Sequence, residues 1–258
     1  MRTRFLYLSL ALALASGVAT APLMQPAQAA VEIAITVAPP PLPVYEQPPL
    51  PGPGYMWIPG YWAYADGDYY WVPGTWVEPP EAGLLWTPGY WAWENGDYVW
   101  NAGYWGPTVG FYGGIDYGFG YNGVGFYGGR WDHGYFAYNA AAWNVGNVHV
   151  EHSYRAPVAR HGTARVSFNG GQGGVTARPS AEQERARQEH HVQATAMQTR
   201  QADQARNDRT LRASQNHGRP PVAATARPGD FKANPVAATN AAEPNIGKPN
   251  AAKPGEHK

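Results

Sequence analysis

The chain contains no cysteine, although it carries 11 tryptophans and 17 tyrosines. The lack of thiols excludes disulfides, cysteine nucleophiles and thiolate metal sites, and it also excludes a lipid attached to an N-terminal cysteine. Charged residues are few as well, at 15% of the 258 residues. The fold must therefore be held by side-chain packing and by backbone pairing.

The few charges are distributed unevenly, so that the formal net charge of zero hides two halves of opposite sign. Residues 31–150 carry one basic residue, Arg130, against ten acidic residues, a net charge of −9. Residues 151–258 carry sixteen basic residues against nine acidic ones, a net charge of +7. We expect the two halves to attract each other, or the basic half to contact an anionic surface.

The N-terminus has the pattern of a secretory signal peptide. Arg2 and Arg4 precede an apolar run at residues 5–18, and the small residues "AQA" that end at Ala29 form a cleavage site before Ala30. The apolar run of about 14 residues is shorter than the roughly 20 residues that a membrane-spanning helix needs. The first 29 residues are thus predicted to be removed on export, and no transmembrane span is expected in the mature chain.

A proline-rich segment follows at residues 30–54, in which "VAPPPLPVYEQPPLPGPG" begins at Val37. Proline lacks the backbone N–H and favours an extended polyproline II conformation. The segment is therefore predicted to be a linker that acts as a spacer. A recognition ligand for a proline-binding domain is the alternative.

All eleven tryptophans lie between Trp57 and Trp143, and eight of them belong to a repeated motif. The copies of the motif are "WIPGYW", "WVPGTW", "WTPGYW" and "WNAGYW". Alternate copies are 29 residues apart, so the repeating unit is a pair of copies, and residues 55–105 hold two such units. The repeated positions are Trp57, Gly60, Trp62, Trp71, Gly74, Trp76, Trp86, Gly89, Trp91, Trp100, Gly103 and Trp105.

A hairpin signal lies inside each unit, Asp66-Gly67 in the first and Asn95-Gly96 in the second. Two-residue hairpin turns of this type need positive φ at both central residues, which Asp, Asn and Gly tolerate. With these residues in the loop, every repeat tryptophan faces another across the hairpin. The predicted pairs are Trp62 with Trp71, Trp57 with Trp76, Trp91 with Trp100, and Trp86 with Trp105.

The spacing of Trp57 and Trp62 conflicts with a regular strand. The two residues are five positions apart, so an ideal strand would send their side chains to opposite faces. We predict a β-bulge at Pro59-Gly60 that returns them to one face, because a Pro-Gly pair tolerates an extra residue there. The alternative is a turn over "IPGY", since Pro-Gly is also a turn signal.

The remainder of the chain loses the repeat pattern in steps. Residues 106–150 alternate glycine with aromatics and are predicted to form further short strands stacked on the tryptophan sheet. Residues 151–213 are basic and polar, with a helix expected after the capping box of Ser180 and Gln183. Residues 214–258 have too little apolar content to order themselves and are predicted to be disordered. The expected fold is mainly β, a small antiparallel meander of tryptophan-rich hairpins followed by a polar helix and a disordered tail.

Candidate catalytic carboxylates are present but lie where turn geometry alone favours them. Glycoside hydrolysis needs two acids that flank one bond. Each candidate lies in or beside a predicted hairpin turn, where aspartate is common for conformational reasons. We therefore predict no catalytic residue among Asp66, Asp68, Glu94 and Asp97.

Metal, cofactor and nucleic-acid sites are not predicted either. The histidines of "HVEH" at His149 and His152, and the adjacent His190 and His191, lack a second cluster at a spacing that closes a metal site. The arginines of the C-terminal half are interspersed with acids and lack the interleaved aromatics of nucleic-acid-binding surfaces. No glycine-rich loop lies between a strand and a helix as a dinucleotide site requires.

The aromatic residues admit two functional interpretations. Exposed tryptophan and tyrosine rings in a row can stack on sugar rings. The same rings can form the core, because residues 55–105 contain few aliphatic side chains to fill one. We favour the core, and the two interpretations coexist if one face of the sheet stays open.

The four motif copies, followed by "YWGPTVGFYGGIDYGFGY", resemble the WXXGXW (or YXWGXW) repeat family of exported bacterial proteins. The resemblance extends over Trp57–Trp143, about a third of the chain. It implies an envelope or secreted protein of a Gram-negative bacterium, in the periplasm, at the outer membrane or outside the cell, and it carries over no catalytic residues. Family members with a lipid anchor have an N-terminal cysteine that this chain lacks.

These observations predict a non-catalytic exported protein with a structural, adhesive or interaction role. The expected partner is an envelope polymer or another surface partner, and no nucleic acid is expected. The alternative function is a carbohydrate- or peptidoglycan-binding module that uses exposed tryptophan and tyrosine rings.

Overall fold

The computed structural model describes residues 34–123, 125–159 and 165–239. The predicted signal peptide and its cleavage site at Ala29 and Ala30 lie outside these residues. Short strands dominate the described chain. The strands are β1 (Ala34–Ile35), β2 (Met56–Ile58), β3 (Tyr61–Ala65), β4 (Asp68–Val72), β5 (Gly74–Val77), β6 (Leu85–Thr87), β7 (Tyr90–Glu94), β8 (Asp97–Asn101), β9 (Tyr104–Gly106), β10 (Asp116–Gly118), β11 (Tyr121–Asn122), β12 (Gly129–Asp132), β13 (Tyr135–Asn139), β14 (Ser153–Tyr154), β15 (Phe168–Asn169) and β16 (Ala224–Thr225).

Across the described residues the strands form six small sheets instead of one continuous meander. Each repeat unit contributes an inner hairpin, β3–β4 or β7–β8, and an outer antiparallel pair, β2–β5 or β6–β9. Strands from the flanking segments extend these pairs, in the orders β16-β5-β2 and β1-β8-β7-β15. The predicted mainly β fold of antiparallel hairpins is confirmed.

The hairpin register is the one that the turn residues predict. In the first unit Trp62 pairs with Trp71 and Trp57 with Trp76, and the second unit repeats this arrangement with its own four tryptophans. Asp66 has φ 55° and Gly67 has φ 81°, and the corresponding angles at Asn95 and Gly96 are 53° and 101°. Positive φ at both loop residues matches the twist of the two-residue turn to that of its strands.

The predicted bulge at Pro59-Gly60 is wrong, and so is the alternative turn. Ile58 pairs with Thr75, and the next pair joins Tyr61 with Val72, so both strands advance by three residues across the interruption. A bulge would add a residue to one strand only. The two strands are interrupted together because Pro-Gly faces Pro-Gly, and proline cannot donate to the ladder.

The glycine of each motif copy makes room for a tryptophan of the opposite copy. A Cβ placed on Gly74 would lie 2.6 Å from Cζ2 of Trp57, and one on Gly103 would lie 2.5 Å from Cζ2 of Trp86. Gly60 faces the indole of Trp71 in the same way. No residue larger than glycine fits between the ring and the backbone, so this contact explains the fourth position of the motif.

The glycine- and aromatic-rich extension packs on the second unit, as expected. The hydroxyl of Tyr117 donates to the carbonyl oxygen of Gly89 at 2.6 Å, and the hydroxyl of Tyr121 donates to that of Trp86 at 3.1 Å. Both tyrosines are buried. The two hydroxyls donate to carbonyl groups near the break between β6 and β7, where the backbone hydrogen bonds between paired strands are incomplete.

The proline-rich segment is part of the core and not a spacer, which corrects the sequence prediction. Leu42, Tyr45 and Leu50 are buried, with exposed fractions of 6%, 9% and 2%. The Tyr45 ring lies 6.5 Å from the ring of Trp57 and 6.3 Å from that of Trp71. The tryptophan pairs present an apolar surface that the repeat alone leaves uncovered, and this segment covers it.

Helices occur only in the C-terminal half of the described chain. The predicted capping box is present: the Ser180 hydroxyl accepts from the Gln183 N–H, and the Gln183 side chain accepts from the Ser180 N–H. This first helix ends at Ala186. The chain is not helical at Val192, which exchanges backbone hydrogen bonds of 2.8 and 2.9 Å with Trp105. The helices are α1 (Ala181–Ala186), α2 (Ala196–Asn207), a 3₁₀-helix (Arg209–Leu211) and α3 (Ala213–Asn216).

The predicted disorder after residue 213 is wrong for residues 214–239, whereas residues 240–258 lie outside the described chain. Ala223 and Ala224 are completely buried. Ala224 pairs with Gly74 in a parallel bridge to β5, and the Ala223 carbonyl oxygen accepts from Nε1 of Trp71 at 2.9 Å. Small side chains fit beside the motif glycine, so a sequence of low apolar content still packs there.

We predict that Gly103→Ala lowers the free energy of unfolding by about 1–3 kcal/mol, the usual cost of overpacking. The added Cβ would meet the Trp86 ring and also the Thr87 carbonyl oxygen, at 2.7 Å. Urea unfolding followed by far-ultraviolet circular dichroism measures the loss. The control is Gly52→Ala, whose Cβ would find its nearest contact at 3.9 Å. Equal stability of the two variants would contradict the role of the motif glycine.

We also predict that stability falls as the pH rises above about 10, the pKa of an exposed tyrosine. Burial raises the pKa of Tyr138 to about 12, and burial raises the pKa values of Tyr112, Tyr117 and Tyr121 as well. The unfolded chain therefore loses these phenolic protons first, so the stabilisation is complete below pH 10 and declines above it.

Urea unfolding midpoints between about pH 8 and about pH 12 test this decline. Tyr138→Phe removes one titrating group, so its midpoint should fall less steeply over the same interval. Tyrosine absorbance that titrates in a single step near pH 10, with no loss of the fold, would contradict the prediction.

Candidate functional site

The repeat tryptophans are the strongest candidate for a functional site in the sequence, and they lie in the interior. Trp57 and Trp76 have no exposed surface, and Trp93, outside the motif, is the most exposed tryptophan in the described chain at 37%. Trp100 is partly buried. The remaining repeat tryptophans are buried, with exposed fractions of at most 6%: Trp62, Trp71, Trp86, Trp91 and Trp105. The core interpretation therefore holds for the eight motif rings.

Each cross-strand pair has its rings inclined to one another. The ring centroids lie 5.2–5.3 Å apart, with interplanar angles between 54° and 69°. Inclined and edge-to-face arrangements place the positive edge of one ring against the negative face of the other, which contributes about 0.5–1.5 kcal/mol per pair beyond burial. Four such pairs stabilise a chain that has no disulfide.

The second tryptophan of every motif copy donates its indole N–H to an acceptor outside its own hairpin. Because a buried indole needs a hydrogen-bond acceptor, these donors fix which segments pack beside the repeat. The acceptors are the carbonyl oxygens of Pro41 for Trp62 (3.1 Å), of Pro48 for Trp76 (2.9 Å) and of Trp62 for Trp91 (2.8 Å), and the side-chain oxygen of Gln198 for Trp105 (2.8 Å).

The first tryptophans of the copies do not all donate their indole N–H to an acceptor. Trp71 donates to Ala223, whereas Nε1 of Trp57 is buried and has no acceptor among the described residues. Trp57 is thus positioned by its ring contacts with Gly74 and Trp76 and not by a hydrogen bond.

The two repeat units share one core. The rings of Tyr61 and Trp100 stack at 5.1 Å with an interplanar angle of 19°, and Tyr69 packs edge-on against Trp91 at 5.7 Å. A hydrogen bond from Trp91 to the carbonyl oxygen of Trp62, its equivalent in the first unit, joins the two units further. A single unit would expose the rings that its neighbour covers.

The candidate carboxylates of the first hairpin are engaged by the basic half of the chain. Arg212 and Arg206 lie 3.1 Å and 3.2 Å from the carboxylate oxygens of Asp66, and their hydrogen bonds hold its pKa below the usual value. Asp68 accepts a hydrogen bond of 2.6 Å from the Ser214 hydroxyl. These contacts bring two arginines of the basic half against Asp66 of the acidic half.

The carboxylates of the second hairpin have a different setting. Glu94 and Asp97 oppose each other at the end of β7 and β8, next to the turn. Asn95 stands where the first unit has Asp66, so the second turn lacks the carboxylate that holds two arginines. The carboxylates of the first turn thus contact the C-terminal half, whereas those of the second turn lie opposite each other beside Asn95-Gly96.

Two of the four candidate histidines, His152 and His191, pack against tyrosine rings. The rings of His191 and Tyr104 stack at 3.7 Å, and those of His152 and Tyr135 stack at 3.6 Å. Nε2 of His191 lies 2.8 Å from the carbonyl oxygen of Ala186, so this nitrogen donates and the contact fixes the end of α1. Within the described residues no three His, Asp or Glu side chains are grouped as metal ligands.

A shallow cleft of about 340 Å³ lies between the proline-rich segment and the residues that lead into β15, and it is lined by Pro39, Pro41, Arg165, Ser167 and Phe168. The helices of the described residues are too short or too polar to cross a membrane.

Sequence reasoning missed the polar side chains of α2 that complete the core. Gln198 accepts from Trp105, and Gln201 donates to the carbonyl oxygen of Pro73 at 2.8 Å. Both glutamines are buried, as is Ala205 on the same helix face. The helical spacing of these three residues is the one available signal, but it is hidden because two of them are polar.

The comparison with known families agrees with this geometry. The model of the WXXGXW repeat family matches the chain in two copies, at residues 52–77 and 83–105, which are the two hairpin units. Comparisons with curated proteins and with solved structures find no match. The chain therefore carries two copies of the WXXGXW repeat, and each copy is one hairpin with two tryptophan pairs.

Proposed function

We propose that the protein is a non-catalytic, exported protein of the cell envelope with a structural or interaction role. The observation that carries this proposal is the burial of the repeat tryptophans in cross-strand pairs. Rings that serve a ligand are left accessible, whereas these rings fill the interior and hold the flanking segments. The repeat is thus a scaffold that needs no disulfide.

Export is supported by the N-terminal sequence. The charged start, the short apolar run and the small residues before Ala30 form the pattern of a cleaved signal peptide. A scaffold built without cysteine folds independently of oxidising enzymes, which suits a protein that matures after export.

The interaction role is supported by the charge of the surface. The C-terminal half presents arginines that are exposed, and phosphate- or carboxylate-bearing envelope polymers offer the matching charge. Guanidinium groups bind both anions with two parallel hydrogen bonds. The exposed arginines include Arg155, Arg178, Arg185, Arg187, Arg200, Arg206, Arg209, Arg219 and Arg227, of which Arg206 lies against Asp66.

We predict that the mature chain begins at Ala30. Expression of the full chain in a Gram-negative host, followed by fractionation and N-terminal sequencing, tests this expectation. Ala29→Phe places a bulky residue at the cleavage site, so the precursor should accumulate at the membrane. The control is Ala30→Ser, which keeps a small residue and should be processed normally. A full-length chain that stays in the cytosol would refute export.

We predict that retention on peptidoglycan and outer-membrane fractions falls severalfold when salt is raised from low to high concentration, because ionic contacts are screened.

Tryptophan emission should be blue-shifted and weakly quenched by acrylamide, with Trp93→Phe removing much of the quenchable fraction.

The competing saccharide-binding hypothesis predicts a different dependence of retention on salt. Retention on cellulose, chitin or peptidoglycan would then be insensitive to salt and would be lost in Trp93→Ala, the variant of the most exposed tryptophan. Replacing the exposed Met197 by alanine provides the matched control, since it removes an apolar side chain of similar exposure and leaves every aromatic ring in place.

A further inference from the structure

Residues 37–50 lie against the repeat as an extended chain with one isolated bridge, Val44 to Thr239. Side chains from other elements donate to backbone carbonyl oxygens along this segment, which we call the proline arm. The donors and acceptors are Tyr69 to Val37 (2.7 Å), Ser167 to Pro40 (2.6 Å), Trp62 to Pro41 (3.1 Å), Arg165 to Leu42 (3.2 Å), Asn144 to Gln47 (3.0 Å) and Trp76 to Pro48 (2.9 Å).

This arrangement has the physical features of polyproline recognition. A proline-rich chain lacks most backbone donors but presents its carbonyl groups, and aromatic residues that carry N–H or O–H groups bind such chains. Here Trp62, Trp76 and Tyr69 supply those groups from three strands of the first repeat unit, β3, β5 and β4. The repeat thus forms a groove for a proline-rich segment, and the chain fills it with its own arm.

Apolar side chains of the arm add to the hydrogen bonds. Tyr45 inserts among the rings of Trp57, Trp71 and Phe119, the last at 5.3 Å. The arm is therefore bound by contacts that are distant in sequence, and none of them depends on which molecule supplies the arm.

The connection from the arm to β2 is a short stretch of prolines and glycines, Pro51-Gly52-Pro53-Gly54. Pro53 and Gly54 are exposed, and Gly54 has φ 89°. A change of conformation confined to these residues would release the arm without disturbing the hairpins. A polyproline segment is extended before it binds, so a released arm loses little entropy on docking again.

We propose that the proline arm is exchanged between two copies of this chain, each arm filling the groove of the other copy. The contacts of the arm itself are kept in such a dimer. The changes are confined to the connection at residues 51–54, where the Gly54 N–H donates to the Tyr138 hydroxyl in the closed chain, which makes exchange a low-cost route to association. The inference goes beyond the proposed function, and it is tested on purified protein, so its outcome does not depend on export or on envelope binding.

The experiment uses the absence of cysteine from the chain. Val44 and Thr239 form the isolated bridge between the arm and the C-terminal segment, and the Thr239 N–H donates to the Val44 carbonyl oxygen at 2.7 Å. Antiparallel partners lie within the Cα separation that a disulfide spans. One preparation carries Val44→Cys and a differently tagged preparation carries Thr239→Cys. The two are mixed, unfolded, refolded at high concentration and oxidised.

Exchange predicts a covalent heterodimer in excess of either homodimer, because the two thiols meet only when the arm of one copy fills the groove of the other. The control mixture pairs Val44→Cys with Lys232→Cys, an exposed position outside the bridge between Val44 and Thr239. Equal yields of heterodimer in the two mixtures would overturn the proposal, and so would a double variant that forms only the intrachain disulfide at every protein concentration.

Two matched tryptophan variants test the part played by the indole donors. Trp76→Phe removes the indole N–H that donates to Pro48. Trp57→Phe changes the ring that pairs with Trp76, and the N–H that it removes has no acceptor among the described residues. Trp76→Phe should raise the rate of heterodimer formation in native buffer severalfold above that of Trp57→Phe. Equal rates would show that the groove does not hold the arm through these donors.

Discussion

The contact between a glycine of one motif copy and the indole of the opposite copy is the constraint on which the structure depends. With no side chain at Gly74, the ring of Trp57 lies directly on the backbone of the facing strand. The same contact recurs at the other three motif glycines. It brings each tryptophan within reach of its cross-strand partner, and in both units the paired strands are interrupted together beside these glycines.

A core made of tryptophan differs from an aliphatic core because each ring carries a polar N–H that must find an acceptor. Here the acceptors lie on flanking segments, at Pro41, Pro48, Gln198 and Ala223. The hairpins thus require the segments before and after them, and these segments, which look unable to fold alone, become ordered by filling the space beside the rings. Scaffold and flanks form one cooperative unit for this reason.

The division of charge along the chain also favours contact between the repeat and the C-terminal segment. The acidic repeat half and the basic C-terminal half meet at Asp66, where Arg206 and Arg212 converge. Exposed ion pairs contribute little stability each, but they direct which surface the C-terminal half covers. Further arginines of the C-terminal half, among them Arg178, Arg200 and Arg227, are exposed as well.

Local sequence determined the hairpins and their register, because Asp66-Gly67 and Asn95-Gly96 admit few other turns and the motif spacing then places tryptophan opposite tryptophan. The capping box at Ser180 is equally local. Tertiary structure alone decided that the proline arm is core and that residues 223–225 are buried. Those outcomes depend on indole donors and acceptors as far as 152 residues apart. No pattern within a short window records such a partner, since proline and alanine look alike in sequence whether their carbonyl groups face water or a tryptophan.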